Sequence, residues 1–587
     1  MFRLFKFLSK KDYLKLFFAV VLIILQVWLD LRMPDYMSDI TVLAQTEGSE
    51  MSEILKNGGF MLACAGGSLV AMIAVGYLAA SISANFAATI SRELFMKVER
   101  LGLSEIQNFS TSSLITRTTN DVSQVQMFIA MGTQLLIKSP ITAVWAITKI
   151  LDKNWQWSAM TAGAVGILLV AIILILVFVL PKFKKVQKLT DKLNGITREN
   201  LSGIRVVRAF NAEKYQENKF NQANTNLAKT QLFTLRAFAF LSPLMYLVIH
   251  FLVLFIYVVG AYLIDAANML DKISIFGDMV VFSSYAMQVI MSFLMLAMVF
   301  MIMPRAQVSA KRINEVLDAK EIVKDGSKTV ADVKSHGSVE FKNVSFSYGG
   351  AKESILKDIS FSAKAGETVA FIGATGSGKS TLVNLIPRFF DATKGQVLVD
   401  GIDVREYKQS ELRNLIGYVS QKAVLFDGTI KSNIKYGDNG KPEAKDDKIL
   451  KALDVAQAKD FVLKMPEKLD AHVAEGGTNY SGGQKQRLSI ARAIARDPEI
   501  YIFDDTFSAL DYKTDAVLRK ELKKYTKNAT VLIVAQRIGT IMNADKIIVL
   551  EDGKCAGIGK HKELLRSCPV YRQIAESQLS PEELKNA

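Results

Sequence analysis

The chain has 587 residues, a net charge of +15 and a hydrophobic fraction of 50%. Its length exceeds what one core supports and calls for two or more domains. The apolar excess is high for a soluble protein and is concentrated in the first half. The basic charge flanks apolar runs and comes with no aromatic-studded basic patch, so anionic lipid headgroups are its expected counterpart and nucleic acid is not. Three scattered cysteines (Cys64, Cys555, Cys568) form neither a disulfide framework nor a metal spacing.

Six apolar runs follow in chain order: 16–29, flanked by Lys15 and Asp30; 60–80; 127–150, which contains Lys138; 157–180; 237–264, interrupted by His250; and 279–303. The uncharged ones are long enough to cross a bilayer. The N-terminus carries Arg3, Lys6, Lys10 and Lys11, and no small-residue cleavage site follows the first run, so a retained helix is expected rather than a signal peptide. The stretch 35–53 is acidic and poor in lysine, whereas the segments after the second and fourth runs are long and basic (Arg92, Lys97, Arg100; Lys182, Lys185, Lys188). The excess of basic residues on the cytoplasmic side places both termini and these segments inside a plasma-membrane protein that crosses several times.

Two features of the runs point toward cargo. Met287, Met291, Met295 and Met298 recur in steps of four, four and three, which keeps them on one helical face. Thioethers are soft and adaptable, so this stripe suits a cavity for varied apolar compounds, and equally suits packing against helices or lipid. Lys138 and His250 are ionisable groups inside spans, where a wet cavity or a partner is the rule. A satisfied interior polar role is the reading preferred for both.

The tract 310–318 joins the halves and sets the expected division: a membrane domain over 1–318 and a second domain over 319–587. In the second, an apolar strand over 368–372 leads into Gly373, Thr375, Gly376, Ser377, Gly378, Lys379 and Ser380, a full G-x-x-x-x-G-K-[ST], with an apolar helix expected over 381–389. Glycines let backbone N–H groups turn onto phosphates, and the helix N-terminus adds partial positive charge. Lys379 is placed to bridge the β- and γ-phosphates, Ser380 to hold Mg²⁺ and Thr381 to open the helix. Downstream, Ser481, Gly482 and Gly483 open another helix with phosphate-binding character. A short apolar strand over 501–503 ends in Asp504, suited to an outer-shell contact with Mg²⁺ through water.

With these motifs in this order, residues 337–565 resemble the ATP-binding cassette family. The resemblance implies that Tyr348 stacks on adenine, that Gln421 is the Q-loop residue at the Mg²⁺, that Ser481, Gly482, Gly483 and Gln484 are the signature, and that Asp511 closes the D-loop begun at Ser508. Residues 473–477 resemble the exporter X-loop only loosely. In the membrane half, 113–122 and 203–213 resemble the two coupling segments of exporters of this family, with Phe210 as the plug into a cassette. The implied fold is a membrane domain of six transmembrane helices with long cytoplasmic extensions, followed by an α/β P-loop nucleotide-binding domain that takes ATP and Mg²⁺. Two such cassettes pack head to tail, each ATP lying between one phosphate loop and the other cassette's signature.

Two catalytic positions depart from that pattern. Asp505 stands where the family carries a Glu, and Gln536 where it keeps a His. Asp is one methylene shorter, a withdrawal of roughly 1 Å, and a misplacement of that size costs about 10²-fold in rate. Gln hydrogen-bonds but neither becomes cationic nor relays a proton. The four histidines (His250, His336, His472, His561) include none near it in sequence. The expectation is an ATP site that binds and hydrolyses poorly, in one subunit of a heterodimer. Its signature completes the competent site of a second, non-identical subunit, and the pair exports hydrophobic or amphipathic compounds. The alternative is a regulatory or structural membrane subunit serving a dedicated lipid, peptide or metabolite exporter.

Overall fold

The structure, a computed structural model, describes residues 2–46, 48–151, 153–332, 336–349, 353–580 and 584. It divides into two units, 1–97 with 111–318 and 98–110 with 319–587. The segment 98–110, expected with the membrane domain, groups with the second unit. Leu101 and Glu105 are buried there, and Gly102 packs close to Val323.

Among the described residues, the α-helices of the first 318 positions are α1 (Lys10–Gln45), α2 (Met51–Arg100), α3 (Leu103–Gln107), α4 (Thr111–Thr118), α5 (Asn120–Leu151), α6 (Trp155–Ser202), α7 (Ile204–Ala209), α8 (Glu213–Ala266) and α9 (Met269–Leu317), and no strand falls there. Among the described residues, six helices are long and apolar enough to cross a membrane. Four of them, α2, α6, α8 and α9, far exceed a bilayer. The 54 residues of α8 extend about 80 Å at 1.5 Å per residue, against roughly 30 Å of hydrocarbon. The polar remainder of α2, α6, α8 and α9 therefore forms the long extensions. The acidic stretch read from residue 35 begins inside α1, which continues through Pro34 to Gln45.

The core of this unit gathers Val27, Leu31, Val75, Ala146, Trp157, Ile256, Phe282 and Tyr285. Charged groups within the spans are paired across helices. Lys138 Nζ on α5 lies 3.2 Å from Asp30 Oδ2 on α1, whose Oδ1 accepts from Ser68 at 2.5 Å. Lys149 Nζ lies 2.8 Å from Asp35 Oδ2, and Tyr285 on α9 donates to Asp35 Oδ1 and to the Leu31 carbonyl. Lys138 thus has a partner on another helix, the interior pairing that its sequence position left open. His250 is exposed on α8, its ring stacked 6.3 Å from that of Tyr246. On α9 the buried face is Phe282, Tyr285, Ala286, Val289 and Ile290, while Met287, Met291, Met295 and Met298 are all exposed. The methionine stripe is therefore only partly covered within this chain.

The second unit is built on two main sheets. Its strands are β1 (Val339–Phe346), β2 (Leu356–Ala363), β3 (Thr368–Gly373), β4 (Lys394–Val399), β5 (Ile402–Asp403), β6 (Ile416–Val419), β7 (Gly428–Thr429), β8 (His472–Val473), β9 (Ile500–Asp504), β10 (Thr530–Val534), β11 (Lys546–Glu551) and β12 (Lys554–Gly559). One sheet runs β2-β1-β4-β5 and is antiparallel; the other runs β12-β11-β3-β10-β9-β6, parallel except for β12. The parallel strands are apolar on both faces, as a doubly covered sheet requires. Ala370, Ile372, Tyr501, Phe503, Val531 and Ile533 point into one core, and Val369, Phe371, Ile500, Ile502, Leu532 and Val534 into the other.

Candidate active site

Strand order decides the site. β10 lies between β3 and β9, with Val534 opposite both Phe371 and Asp504, and β6 pairs with the far side of β9. The residues that follow these parallel strands therefore emerge at one edge: the glycine-rich loop after β3, Gln421 after β6, Asp504 and Asp505 at the end of β9, and Gln536 after β10. Ligands of open parallel sheets sit outside this carboxyl edge.

The loop after β3 turns tightly enough that a Cβ on Gly373 would collide with the Leu550 carbonyl oxygen. Gly378 takes φ +94, the left-handed region that glycine adopts freely, and caps the helix Lys379–Asn384. This helix is shorter than the expected 381–389. Pro387 lacks an N–H and disfavours helical geometry in the residue before it, and Arg388 is left-handed at φ +55. Lys379 is buried, and its Nζ donates to the carbonyls of Gly373 and Ala374 at 2.8 Å each. Burial pushes its pKa down, opposed by the charges of Asp505 and Asp504. Ser380 Oγ donates to Asp504 Oδ1 at 2.8 Å. A hydroxyl and a carboxylate at the foot of a phosphate loop form the oxygen donor set that Mg²⁺ prefers. Burial raises the Asp504 carboxyl above its ordinary value; the Ser380 hydrogen bond lowers it and the neighbouring Asp505 charge raises it further.

The two departures meet. Asp505 sits in the left-handed region at φ +46, a conformation Asp tolerates better than most side chains. Its Oδ2 accepts from Gln536 Nε2 at 2.6 Å and from Gln421 Nε2 at 3.2 Å. Burial pushes the Asp505 carboxyl up, and hydrogen bonds from Gln421, Gln536 and Ser508 hold it down. One oxygen of the short carboxylate is thus occupied by two amide donors. A general base must reach its water within hydrogen-bond distance; here Asp505 Oδ2 is held in a hydrogen-bonded knot with the amides of Gln536 and Gln421.

Two residues that the sequence reading did not single out border the site, one at Gln536 and one at Asp504. Gln578, near the end of the helix Pro569–Gln578, donates to the Gln536 carbonyl and accepts from Ile538 N–H, both at 2.8 Å. Tyr418 hydrogen-bonds near Asp504 and donates to Asn384 Oδ1 at 2.9 Å. Neither lies in a motif, so no sequence signal marks them.

Other expected nucleotide contacts are placed as follows. Tyr348 packs at right angles to Phe390, and its hydroxyl lies 3.2 Å from Thr381 Oγ1. Ser481 caps the helix Gly482–Arg496; it accepts from Gln484 N–H, while Gln484 Oε1 accepts from Ser481 N–H. This reciprocal capping box presents the helix N-terminus, with Gly482 open to space. Asp511 caps the helix Tyr512–Tyr525 by accepting from Thr514 N–H at 2.9 Å. Phe210, at the end of α7, is exposed.

Residues 16–293 match the family described as the ABC transporter transmembrane region, and residues 356–508 match that described as ABC transporter. A Mycobacterium tuberculosis protein named as an uncharacterized ABC transporter ATP-binding protein is 39% identical over 90% of each chain. The ATP-dependent lipid A-core flippase of Pseudomonas fluorescens is 32% identical over 85% of this chain and 81% of its own. A Staphylococcus aureus protein, named provisionally as a multidrug export ATP-binding/permease protein, is 33% identical over 86% of each. The structure of a bacterial Atm1-family ABC exporter with ATP bound superposes with a TM-score of 0.81 at 23% identity, over 98% of this chain and 100% of that one.

Proposed function

Because this chain belongs to the ABC transporter family, we propose that it is one half of a heterodimeric exporter whose own ATP site binds ATP and turns it over slowly. A second, non-identical subunit supplies the competent site, which this chain's Ser481, Gly482, Gly483 and Gln484 complete. The observation that carries the reading is the 2.6 Å contact of Gln536 Nε2 with Asp505 Oδ2. Two exchanged residues hydrogen-bonded to each other form a stable arrangement of their own. Binding draws on groups that are all present: Tyr348, the buried Lys379, and the Ser380–Asp504 pair. Mg²⁺, when bound there, neutralises phosphate charge. Lys379 holds the phosphates, Gln421 keeps its amide on Asp505, and the knot leaves no poised base.

The cargo class is hydrophobic or amphipathic compounds, met by the exposed methionine stripe on α9, and the membrane is the plasma membrane with both termini cytoplasmic. The relative named as a lipid A-core flippase favours a second reading, in which the pair moves one dedicated lipid. ATP hydrolysis by the purified chain in lipid, alone and reconstituted with the product of a neighbouring ABC half-transporter gene, tests the proposal. Turnover at least tenfold higher in the mixture is expected; robust cargo-stimulated turnover by the chain alone overturns it.

A further inference from the structure

Away from the nucleotide edge, the second unit brings together three residues that no motif connects. His336 precedes β1, Asp400 opens the turn after β4, and Glu499 stands immediately before β9. One ligand atom from each, an imidazole nitrogen and two carboxylate oxygens, lies within 4.8 Å of the other two. We propose that these residues form a binding site for a divalent first-row transition-metal ion, Zn²⁺ being the fitting probe.

Asp400 carries the argument. Its side chain is buried, with the residue 5% exposed. Oδ1 accepts from Ser338 N–H at 2.7 Å, while Oδ2 is buried with no hydrogen-bond partner. Glu499 Oε2 is likewise buried with no hydrogen bond, and His336 Nδ1 lies 3.3 Å from it. Among the described residues, no lysine or arginine pairs with either carboxylate. Buried carboxylate oxygens without donors are expensive, and two held side by side repel each other. An imidazolium at His336 satisfies Glu499 alone, because it lends one charge to two carboxylates. A divalent cation satisfies all three ligands.

The donor set identifies the class of ion. Mg²⁺ and Ca²⁺ take oxygen ligands, whereas imidazole with carboxylates suits Zn²⁺ and its first-row neighbours. Three protein ligands leave a fourth position for water. The ligands are also held from behind. Asp400 N–H donates to the Ser338 carbonyl, Thr530 N–H donates to the Glu499 carbonyl, and Thr530 Oγ1 donates to the Gly337 carbonyl. The ion would join the antiparallel sheet, through His336 and Asp400, to the parallel sheet, through Glu499. It is distinct from the nucleotide site: Asp504 lies at the opposite end of β9, five residues on, or about 16 Å at 3.3 Å per residue.

The test uses the full chain in detergent, affinity tag removed and excess Mg²⁺ present to fill hard oxygen sites. Zn²⁺ is titrated against a chromophoric chelator, and Co²⁺ is added separately to read its visible ligand-field bands. One equivalent of Zn²⁺ per chain is expected, with a rise in thermal midpoint. His336→Ala and Asp400→Asn remove ligands and should weaken binding by at least about 100-fold, beyond the 10–100-fold typical of an outer partner, and abolish the thermal shift. Both variants should fold, since His336 is exposed and Asn keeps the acceptor for Ser338 N–H. His472→Ala, which removes an exposed imidazole elsewhere, should leave Zn²⁺ binding unchanged. No Zn²⁺ bound by the wild type, or binding that survives both His336→Ala and Asp400→Asn, overturns the site.

Discussion

Lengthening the carboxylate at position 505 should fail unless position 536 is changed with it. Asp505 Oδ2 already lies 2.6 Å from Gln536 Nε2 and 3.2 Å from Gln421 Nε2. The extra methylene of Asp505→Glu advances the carboxylate by roughly 1 Å, which drives it against the amides it now accepts from. Gln536→His alone removes the closer of the two amides on Oδ2, but leaves Gln421 donating to it and the carboxylate short. Each single substitution should therefore raise hydrolysis at this site by no more than about threefold. The double substitution should return about 10²-fold, the factor attributed to a 1 Å misplacement, or roughly 2.7 kcal/mol of barrier. The two singles multiply to about tenfold, so the coupling is a further factor of about ten, near 1.4 kcal/mol and within the range for residues in contact. The assay is single-turnover release of labelled phosphate by the assembled heterodimer, with the partner's phosphate-loop lysine replaced so that only this site reacts. Full recovery by Asp505→Glu alone, or singles that multiply to the double, would refute the claim that the knot restrains the site.

Burial raises the carboxyl pKa of Asp504 above its ordinary 3.8, so the folded chain binds that proton more tightly than the unfolded chain does, and stability is lost as pH rises through the raised value. Asp504→Asn should therefore raise the thermal midpoint of the nucleotide-free protein most at pH 7–8, with the advantage shrinking on acidification, while abolishing the midpoint shift from Mg²⁺–ATP; an advantage that grows in acid would reverse the sign. Lys138→Met leaves Asp30 with Ser68 but without its cation, and should cost roughly 1–2 kcal/mol, between an exposed pair and a buried one; Lys138→Met with Asp30→Asn should recover most of it, read as detergent-resistant half-life on heating. Ser481→Ala removes the capping box and should slow the heterodimer at the partner's site, so nucleotide trapping resolved by subunit should fall on the partner's phosphate loop rather than on this chain's; loss confined to this chain would contradict the head-to-tail arrangement.

The fold class was legible because its signals are local. Apolar runs reach bilayer length without reference to anything distant, and the strand, glycine-rich loop and lysine from Thr368 to Ser380 are contiguous. Periodicity also put Met287, Met291, Met295 and Met298 on one face, although only packing showed that this face is left exposed while Phe282 and Tyr285 are buried. Helix ends were less legible. The helix after the phosphate loop stops at Asn384 because Pro387 and the left-handed Arg388 overrule the apolar pattern.

What the sequence by itself determined is the inventory: six spans, one P-loop cassette, and the residue types that stand at positions 505 and 536. Tertiary structure decided which members of that inventory touch. Gln536 reaches Asp505 because β10 inserts between β3 and β9, a strand order that does not follow chain order. Lys138 finds Asp30, 108 residues away, because α1 and α5 pack together, and the trio of His336, Asp400 and Glu499 exists only where two sheets adjoin. Such pairings rest on long-range packing, in which each contact depends on many others being formed. Local propensity and spacing carry no record of them.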